Sequence, residues 1–506
     1  MEKTLNLPII HPLNTRISAT NPLPSSSGVI GIGVVGVMVI GQSVDPTYKD
    51  ARYVNCFKHT VGDKLYCIKR SGLQALDTPQ SGSSGSAIMV WTGQSPGNAR
   101  IAAYGAVSSR IYNATTLIAT NNSVTSNISS LATSITETMV NNNPTLYITA
   151  SNSKGWFYDP SVSSSIMQIT NGNFPGNAGL TLAGFGSHLD GYTFQMDTRG
   201  GIWNSNLNTI STWTATGTIN ANIYPDKGIG CLRWKQYIIG FGPESMEFFY
   251  NAGNAQGSPL SRIANMAQKV GAVHADAITS ISDSIFFCGS TSQGGLSIYL
   301  FDGQVSRVSP PEIDAVLLLA GAGNIKLTAL RDLGLSFIIV KAGSSQYAYC
   351  IEEKFWFIWI SHLGFVRFAG LSVGTATQVV YGVSELVTTG KTYTINPASR
   401  VFQDDGQAFY ARAQLQPIDP GQGKFTAYTE AEIKADVESS TSALTLEWTD
   451  DDYMTYSTPR TLDLSQNHPY ATRLGGTRTP RAFAMVHSAN MPMRLENLRL
   501  KVSIGK

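Results

Sequence analysis

Three neighbouring carboxylates, Asp450, Asp451 and Asp452, form the closest cluster of acids in this sequence. Adjacent acids of this kind could hold a hard cation such as calcium, which binds oxygen ligands. The flanking residues Thr449 and Thr455 instead favour a tight turn, in which aspartate side chains bond to nearby backbone groups. The segment resembles a degenerate Asp-box turn, which staples a β-hairpin and is not catalytic by itself. We therefore predict a turn at this position and no metal site.

The usual catalytic constellations are missing from the rest of the chain. The seven histidines form no HExxH pair, and no GxSxG or GxxxxGK[ST] motif occurs. The five cysteines make no CxxC, so no zinc knuckle can be drawn. We therefore predict no catalytic residue, no metal, no cofactor and no enzymatic activity.

One apolar run, Gly28–Gly41, contains a GxGxxG spacing at Gly31, Gly33 and Gly36. A dinucleotide site needs a strand before this motif and a helix after it, but here it follows prolines and serines and is rich in strand-forming Val and Ile. We interpret the run as an apolar β-hairpin arm that docks on another surface, such as a neighbouring subunit. It has 14 residues, whereas a membrane-spanning helix needs about 20, so we expect no stable membrane insertion.

The composition excludes several protein classes. Charged residues make up 14% of the 506 residues, the net charge is +2, and 42% of the residues are hydrophobic. A disordered chain has low hydrophobicity and high net charge, and a coiled coil is rich in charged helix formers, so both are excluded. A surface with so few charges suits a large assembly. The odd number of cysteines and a start without a signal-peptide pattern predict buried thiols in a protein made in a reducing cytoplasm.

Short strand patterns bounded by Gly, Asn, Asp or Ser recur from residue 86 to 404. Within them a motif repeats, in which one strand with aromatic residues is followed by a turn and a second such strand. The copies lie at residues 146–158, 192–203, 237–250, 285–300 and 337–357. Their spacing is near that of propeller blades, so we predict an all-β fold with a β-propeller of five to seven blades; a stacked sandwich is the alternative. The pattern at Pro311–Leu319 predicts a helix, and the Ser/Thr/Asn-rich stretch Asn121–Met139 has no clear pattern of helix or strand.

The composition changes after residue 404. We predict three regions: residues 1–85 as an N-terminal arm with platform-associated strands, 86–404 as the propeller, and 405–506 as a C-terminal β-sandwich platform. Residues 404–452, the acidic strip, contain eleven acids and three Lys or Arg, whereas residues 459–506, the basic strip, contain eight Lys or Arg and two acids. Segregated charge of this kind suits head-to-tail packing of identical subunits, or a rim that faces phosphates. The alternative is that the two strips pair within one chain.

We expect this interface to use residues of both strips. The candidates are Arg473, Arg478, Arg481, Arg494, Asp450, Asp451 and Asp452.

An ordered set of segments resembles the tail hub, or nozzle, proteins of short-tailed bacteriophages, a family also called packaged-DNA stabilisation proteins or tail accessory factors. The set spans about residues 140–506, while residues 1–85 match less well and Gly28–Gly41 departs from the family pattern. The matching segments are Gly228–Gly230, Trp234–Gly242, Ser245–Gly253, Lys269–Ala272, Ser284–Phe287, Ile298–Tyr299, Val305–Ser309, the Asp-box-like hairpin, Tyr470–Gly476 and Leu498–Val502.

The resemblance implies a structural virion protein that forms a hexameric ring below the portal and its adaptor. Such a ring retains the packaged genome, conducts double-stranded DNA without sequence specificity during ejection, and offers attachment surfaces for tailspikes or fibres and a tail needle. It would be assembled in the bacterial cytoplasm and located in the virion tail. In this setting we expect Arg478→Glu with Arg481→Glu to impair ring assembly without unfolding the protein.

A second hypothesis is a carbohydrate-binding or glycan-degrading propeller. It would stack sugars on exposed aromatic residues such as Trp156, Trp203 and Trp213 and use carboxylates for acid chemistry. The opposing interpretation is that these tryptophans are packed between blades, as bulky aromatic residues usually are.

Overall fold

The computed structural model describes residues 2–9, 52–91, 99–105, 109–113, 116–117, 132–291, 294–369 and 379–505. The predicted arm at Gly28–Gly41 lies outside these residues. The described chain is built almost wholly from antiparallel strands, as the alternating sequence pattern indicates.

Seven sheets of the described chain follow one another as the blades of a propeller. Blade 1 is Gly85–Trp91, Ala99–Tyr104, Arg110–Asn113 and Thr116–Leu117; blade 2 is Ala132–Val140, Asn143–Ala150, Gly155–Tyr158 and Met167–Gln168; blade 3 is Leu182–Leu189, Tyr192–Asp197, Gly201–Ser205 and Trp213–Asn220; blade 4 is Gly230–Trp234, Tyr237–Phe241, Met246–Asn251 and Leu260–Arg262. Blade 5 is Gly271–Ala272, Ile278–Ile281, Ser284–Ser290, Ser297–Phe301 and Val305–Arg307; blade 6 is Ile325–Asp332, Leu335–Ala342, Ser345–Cys350 and Phe355–Ile358; blade 7 is Val366–Ala369, Val380–Ser384, Thr392–Ile395 and Gln74–Asp77.

The ring is closed by a strand from the beginning of the chain. Gln74–Asp77 pairs with Thr392–Ile395 as the outer strand of blade 7, although it directly precedes blade 1 in the sequence. Propeller residues therefore begin before residue 86, which moves this strand out of the predicted N-terminal region. At the closure the blades touch closely: a Cβ atom at Gly85 would lie 2.3 Å from that of Val383 in blade 7, so only glycine fits there.

Hydrophobic clusters fill the spaces between successive blades. Blades 4 and 5, for example, share Phe241, Phe248, Phe287 and Phe301, all at most 1% exposed. The helix Pro311–Ala320 lies between blades 5 and 6 and buries Ile313, Val316 and Leu317. Proline in its first turn and Gly321 at its end are typical helix boundaries, so the predicted helix is confirmed. The stretch Asn121–Met139 is described from Ala132 onward, where it forms the strand Ala132–Val140. The described chain also contains short 3-10 helices at Ala264–Met266, Ala275–Ala277 and Ala322–Asn324.

A β-sandwich is fused to blade 6. Its first sheet contains Glu2–Pro8, Cys56–Val61, Lys64–Lys69, Thr426–Ala435, Tyr470–Thr472, Gly476–Thr477 and Arg494–Ile504. Its second sheet contains Arg52–Val54, Ala411–Gln414, Ala443–Thr449, Arg460–Asp463 and Ala482–His487. A small hairpin, Gln403–Asp404 with Gln407–Ala408, precedes the C-terminal strands.

The second sandwich sheet and blade 6 form one continuous nine-stranded sheet. The link is Val54, which pairs in parallel with Ile358 of blade 6. One hydrophobic core runs across the link and joins Phe337 and Phe357 of blade 6 to Phe483 and Leu500 of the sandwich. Because backbone hydrogen bonds and core packing both cross this boundary, the propeller and the sandwich are joined without a flexible linker.

Candidate functional site

The acidic triplet forms the predicted turn. The Asp451 carboxylate accepts hydrogen bonds from the Thr455 backbone N–H at 2.9 Å and from the Thr449 hydroxyl at 2.7 Å. Burial opposes ionisation of this carboxyl, but the hydrogen bonds from Thr455 and Thr449 lower the pKa of Asp451 overall. Within the described ranges, no group of three or more His, Cys, Asp or Glu is placed to hold a metal ion.

Arg481 is a buried residue, and its partner is in the same chain. The guanidinium is 2% exposed, bonds both Asp450 oxygens at 2.6 and 2.7 Å, and lies over the rings of Tyr428 and Trp448. A bidentate ion pair in this setting fixes the turn against the sandwich core. The structure therefore corrects the proposed interface role of buried Arg481, whereas that of Asp450, whose side chain is 34% exposed, stays a prediction. It also argues against the expectation that Arg481→Glu leaves the fold intact, because that change would place a buried carboxylate beside Asp450 and remove the cation that Asp450 binds.

The acidic and basic strips face each other on neighbouring strands of the first sandwich sheet. Thr426–Ala435 runs antiparallel to Arg494–Ile504, with Glu430 opposite Lys501 and Glu432 opposite Arg499. The corresponding ion pairs measure 2.7 and 3.5 Å. Intramolecular pairing, the alternative considered from the sequence, thus accounts for these charges without a second subunit.

The remaining interface candidates differ in exposure. Arg494 bonds Asp436 at 3.0 Å and lies 3.7 Å from the centre of the Tyr66 ring, so it too has partners in its own chain. Arg473 and Arg478 are exposed, and among the described residues neither has an ion pair. Of the predicted basic set, these two are available to a partner.

The joint between propeller and sandwich is built around Arg70, which is 2% exposed. Its guanidinium bonds both oxygens of fully buried Asp404, at 3.0 and 2.6 Å, and the side-chain oxygen of Asn55 at 2.9 Å. The rings of Trp359 and Phe409 cover it at 4.2 and 3.8 Å. We call these five residues the joint cluster. Trp359 directly follows blade 6, and Asn55 directly follows Arg52–Val54, the strand that links blade 6 to the sandwich. The joint cluster therefore fixes the propeller and the sandwich relative to each other.

Two further titratable groups are buried beside the joint cluster. Burial, followed by the nearby positive charge of Arg70, lowers the pKa of Lys69 to about 7. Burial and Lys69 lower the pKa of His487 to about 3. The His487 ring lies 2.8 Å from the Ser442 hydroxyl, and the Lys69 ammonium donates to the Ala489 carbonyl at 2.8 Å. His487 is therefore a neutral hydrogen-bonding residue of the fold at neutral pH.

The axis of the propeller contains a cavity of about 510 Å³. Each of the seven blades contributes residues to its wall, from Ala87 in blade 1 to Phe368 in blade 7. This volume is in the range of small-molecule sites, roughly 300–1,000 Å³. It is too small to admit a DNA duplex, whose major groove alone is about 12 Å wide.

An ion-pair network at the cavity joins blades 5, 6 and 7. Arg367 bonds Asp276 at 2.9 Å and also Glu385, while Lys326 bonds Glu385 at 2.8 Å and Asp276 at 3.6 Å. These four residues are the axial cluster. Burial by itself raises the pKa of Asp276, but Arg367 and Lys326 lower it overall. Two cations and two anions balance, so the cluster ties blades together and leaves no net charge for an ionic ligand.

Two of the three tryptophans proposed for sugar stacking are buried. Trp156 and Trp213 are 3% and 2% exposed in clusters between blades. Trp203 is half-buried and donates its indole N–H to Asp197 at 3.0 Å. The packed interpretation is therefore confirmed for Trp156 and Trp213.

All five cysteines are free and buried, as predicted. Burial raises the pKa of the Cys231, Cys288 and Cys350 thiols to about 12, so these thiols are not activated nucleophiles.

Sequence reasoning missed the residues of the joint and axial clusters. Arg70 and Asp404 are 334 positions apart, and no local motif marks either. The one available signal is that Arg70 stands two residues after the strand pattern at Leu65–Ile68, where a charge must find a partner if it is buried.

Comparison with known families gives one match. Residues 40–379 match the family model Phage_stabilise, described as "Bacteriophage P22 Gp10, beta-propeller". No curated protein matches the chain. No helix in the described residues is long and apolar enough to cross a membrane.

Solved structures resemble the fold only distantly. A chain of the "Crystal Structure of Mitotic Checkpoint Complex" has 12% identity and a TM-score of 0.37, with 67% of this chain and 98% of that chain covered. Raptor from Chaetomium thermophilum has 11% identity and a TM-score of 0.38, with 66% and 29% covered. BamB from Moraxella catarrhalis has 11% identity and a TM-score of 0.34, with 70% and 95% covered. At these values the likenesses carry no functional argument.

The family match covers more than half of the chain, and the chain therefore belongs to the bacteriophage P22 Gp10 stabilisation family of β-propeller proteins. It is a structural phage protein and a component of the virion.

Proposed function

We propose that this protein forms a hexameric tail nozzle below the portal and adaptor of a short-tailed phage, where it retains the packaged genome and conducts DNA during ejection. Membership of the phage stabilisation family is the observation that carries the proposal. The fusion of propeller and sandwich supports it, because a subunit that must hold its shape under the pressure of a packaged genome benefits from a continuous sheet and core.

The size of the axial cavity determines where DNA would pass. Because a cavity of about 510 Å³ does not admit a duplex, the proposed DNA path lies between subunits, along the axis of the ring. The paired charges of the sandwich suit such a path. Each phosphate neutralised by a free cation adds affinity and would retard passage, whereas cations already bound to carboxylates add little.

A closed ring needs a heterologous interface, in which one surface of each subunit binds a different surface of the next. Arg473 and Arg478 are the arginines of the predicted set that are exposed and have no ion pair among the described residues. The portal and adaptor, a tailspike or fibre, and a tail needle are the proposed further partners. Assembly would take place in the host cytoplasm and the final location would be the virion tail.

The decisive experiment combines two measurements, one on the purified chain and one on virus particles. Native mass spectrometry and class averages of the purified chain should show six copies in a ring, alone or with the adaptor. Electron microscopy of virus particles labelled with antibody against this chain should place the label at the short tail. Label elsewhere on the particle, or a ring with another symmetry at the tail vertex, would overturn the nozzle proposal.

The glycan hypothesis has lost two of its three aromatic candidates. Its aromatic candidates Trp156 and Trp213 are buried, so they offer no flat surface to a sugar ring. A binding assay with bacterial polysaccharides remains its test, and saturable binding that depends on an exposed aromatic residue would restore it.

A further inference from the structure

The N-terminal strand Glu2–Pro8 lies at the edge of the first sandwich sheet. It pairs along its whole length with Arg494–Ile504, from Glu2 opposite Ser503 to Pro8 opposite Asn497. Within the described chain this is its only strand neighbour. Every backbone hydrogen bond it makes to the sheet therefore depends on a single edge.

The strand is held in place by apolar packing as well as by the sheet. Leu5 and Leu7 pack against the sandwich core, and Ile9 just beyond the strand is 0% exposed. The Ile9 carbonyl accepts a hydrogen bond from the Tyr53 hydroxyl at 2.8 Å. These contacts form a preformed site for a strand that carries leucines on one face. Without a strand in this site, the edge of Arg494–Ile504 would be open to unwanted pairing.

The connection to the rest of the chain is long. Residues 10–51 separate Ile9 from the next described strand, Arg52–Val54. At about 3.3 Å per extended residue, 42 residues span up to roughly 140 Å. A connection of this length does not restrict the strand to the edge of its own chain. Exchange of an identical element between copies preserves every contact of the strand and adds a link between subunits.

We propose that Glu2–Pro8 is exchanged between copies of this protein, so that the strand of one copy completes the sheet edge Arg494–Ile504 of its neighbour. The inference rests on the self-association proposed above. In a closed ring, each copy donates one strand and receives one, which gives a heterologous contact of identical geometry at every interface.

Paired cysteines test the exchange directly. Thr4 and Lys501 are directly opposite each other and both exposed, and all five native cysteines are buried. The full-length double variant Thr4→Cys with Lys501→Cys is purified, its assembly state is measured by native mass spectrometry, and it is treated with a short thiol-to-thiol crosslinker. Exchange predicts loss of the monomer band on a denaturing gel and a ladder of covalent multimers.

Two controls make the result specific. The variant Val61→Cys with Lys64→Cys places its thiols across the tight hairpin of Cys56–Val61 and Lys64–Lys69, so it should give only internal links. Co-expressed chains that carry either Thr4→Cys or Lys501→Cys alone should crosslink in pairs only if strands are exchanged.

The outcomes separate the two proposals. Assembled protein with internal Thr4–Lys501 links only would overturn the exchange and leave the ring standing. A protein that stays monomeric both alone and with the adaptor, with internal links, would overturn both. The Thr4/Lys501 variant could fail to assemble while the Val61/Lys64 control assembles. The same test is then made with Asn6→Cys and Arg499→Cys, which are the next outward-facing pair in register, and its result decides between exchange and no exchange.

Discussion

The joint cluster and the axial cluster use the same chemistry, an arginine bound to carboxylates, in two different environments. At the joint, Arg70 and Asp404 are 2% and 0% exposed, and aromatic rings cover the guanidinium. At the axis, Arg367, Asp276 and Glu385 are 19%, 28% and 15% exposed and border a cavity. Water and a second cation, Lys326, can compensate for a loss at the axis. At the joint, Asp404 is fully buried and Arg70 is the cation that bonds it.

The comparison shows how exposure determines what an ion pair does. A fully buried pair is strongly coupled to the fold, because either partner left alone is an uncompensated charge. A pair beside solvent contributes less and is weakened by salt. The joint cluster therefore fixes the orientation of two large parts of the molecule, whereas the axial cluster adds a modest bond between blades that are already packed together.

The largest expected effect is at the joint. Arg70→Met should lower the free energy of unfolding by about 3–5 kcal/mol, because Asp404 loses its partner inside the core. Urea unfolding followed by tryptophan fluorescence measures the change. As the matched control, Arg70→Met with Asp404→Leu should recover much of the loss, since an apolar pair leaves no buried charge. A loss below about 1 kcal/mol for the single variant would show that the cluster is not a structural joint.

Acid should weaken the joint next most strongly. The unfolded chain protonates His487 near its ordinary pKa of about 6.5, but in the folded protein that pKa is about 3. Between these values the unfolded state binds more protons, so stability is lost as the pH falls through this window. At pH 5 the loss from this residue should be roughly 2 kcal/mol relative to pH 7.

The variant His487→Gln provides the control for the acid effect. An amide can keep the hydrogen bond to Ser442 but does not titrate, so part of the pH dependence between 7 and 5 should disappear. Burial also lowers the pKa of His188 beside the axial cavity, so the difference between variant and wild type, and not the wild-type profile, isolates the joint. An unchanged profile in the variant would contradict the assignment.

A smaller effect is expected at the axis. Arg367→Met should cost about 1–2 kcal/mol, because Lys326 stays close to both carboxylates and the site is partly solvated. The cost should shrink when the salt concentration is raised from 0.05 to about 1 M, whereas the cost of Arg70→Met should hardly change. If Arg367→Met and Arg70→Met cost the same stability and depend equally on salt, the two clusters do not differ in the way proposed.

The smallest effect on stability is expected for the exposed arginines. Arg473→Glu and Arg478→Glu should each change the free energy of unfolding by no more than about 0.5 kcal/mol, since both residues are exposed. If they lie at a subunit contact, the double variant should still fold but should form fewer rings in native mass spectrometry. Arg481→Glu, three residues from Arg478, should instead unfold the sandwich, which a thermal melt would show.

Much of the propeller could be predicted from local pattern. In blades 2 to 5 the repeated aromatic motif corresponds to two neighbouring strands in the middle of the blade, such as Tyr237–Phe241 and Met246–Asn251. In blade 6 its two halves are the second and fourth strands, Leu335–Ala342 and Phe355–Ile358. Alternation of apolar residues and spacing of turns are properties of short segments, and they survive in any fold that buries one face of each strand.

The partners of charged residues were decided only by the tertiary structure. The acidic and basic strips have a visible imbalance in the sequence, yet the same imbalance fits contacts within a chain or between chains. Strand order brings Glu432 beside Arg499 and Asp450 beside Arg481, and it left Arg473 and Arg478 exposed. The sequence by itself determined an all-β chain of repeated blades, because periodicity is local. Which cation met which carboxylate, and which strand closed the ring, depended on pairings across hundreds of residues that no local pattern records.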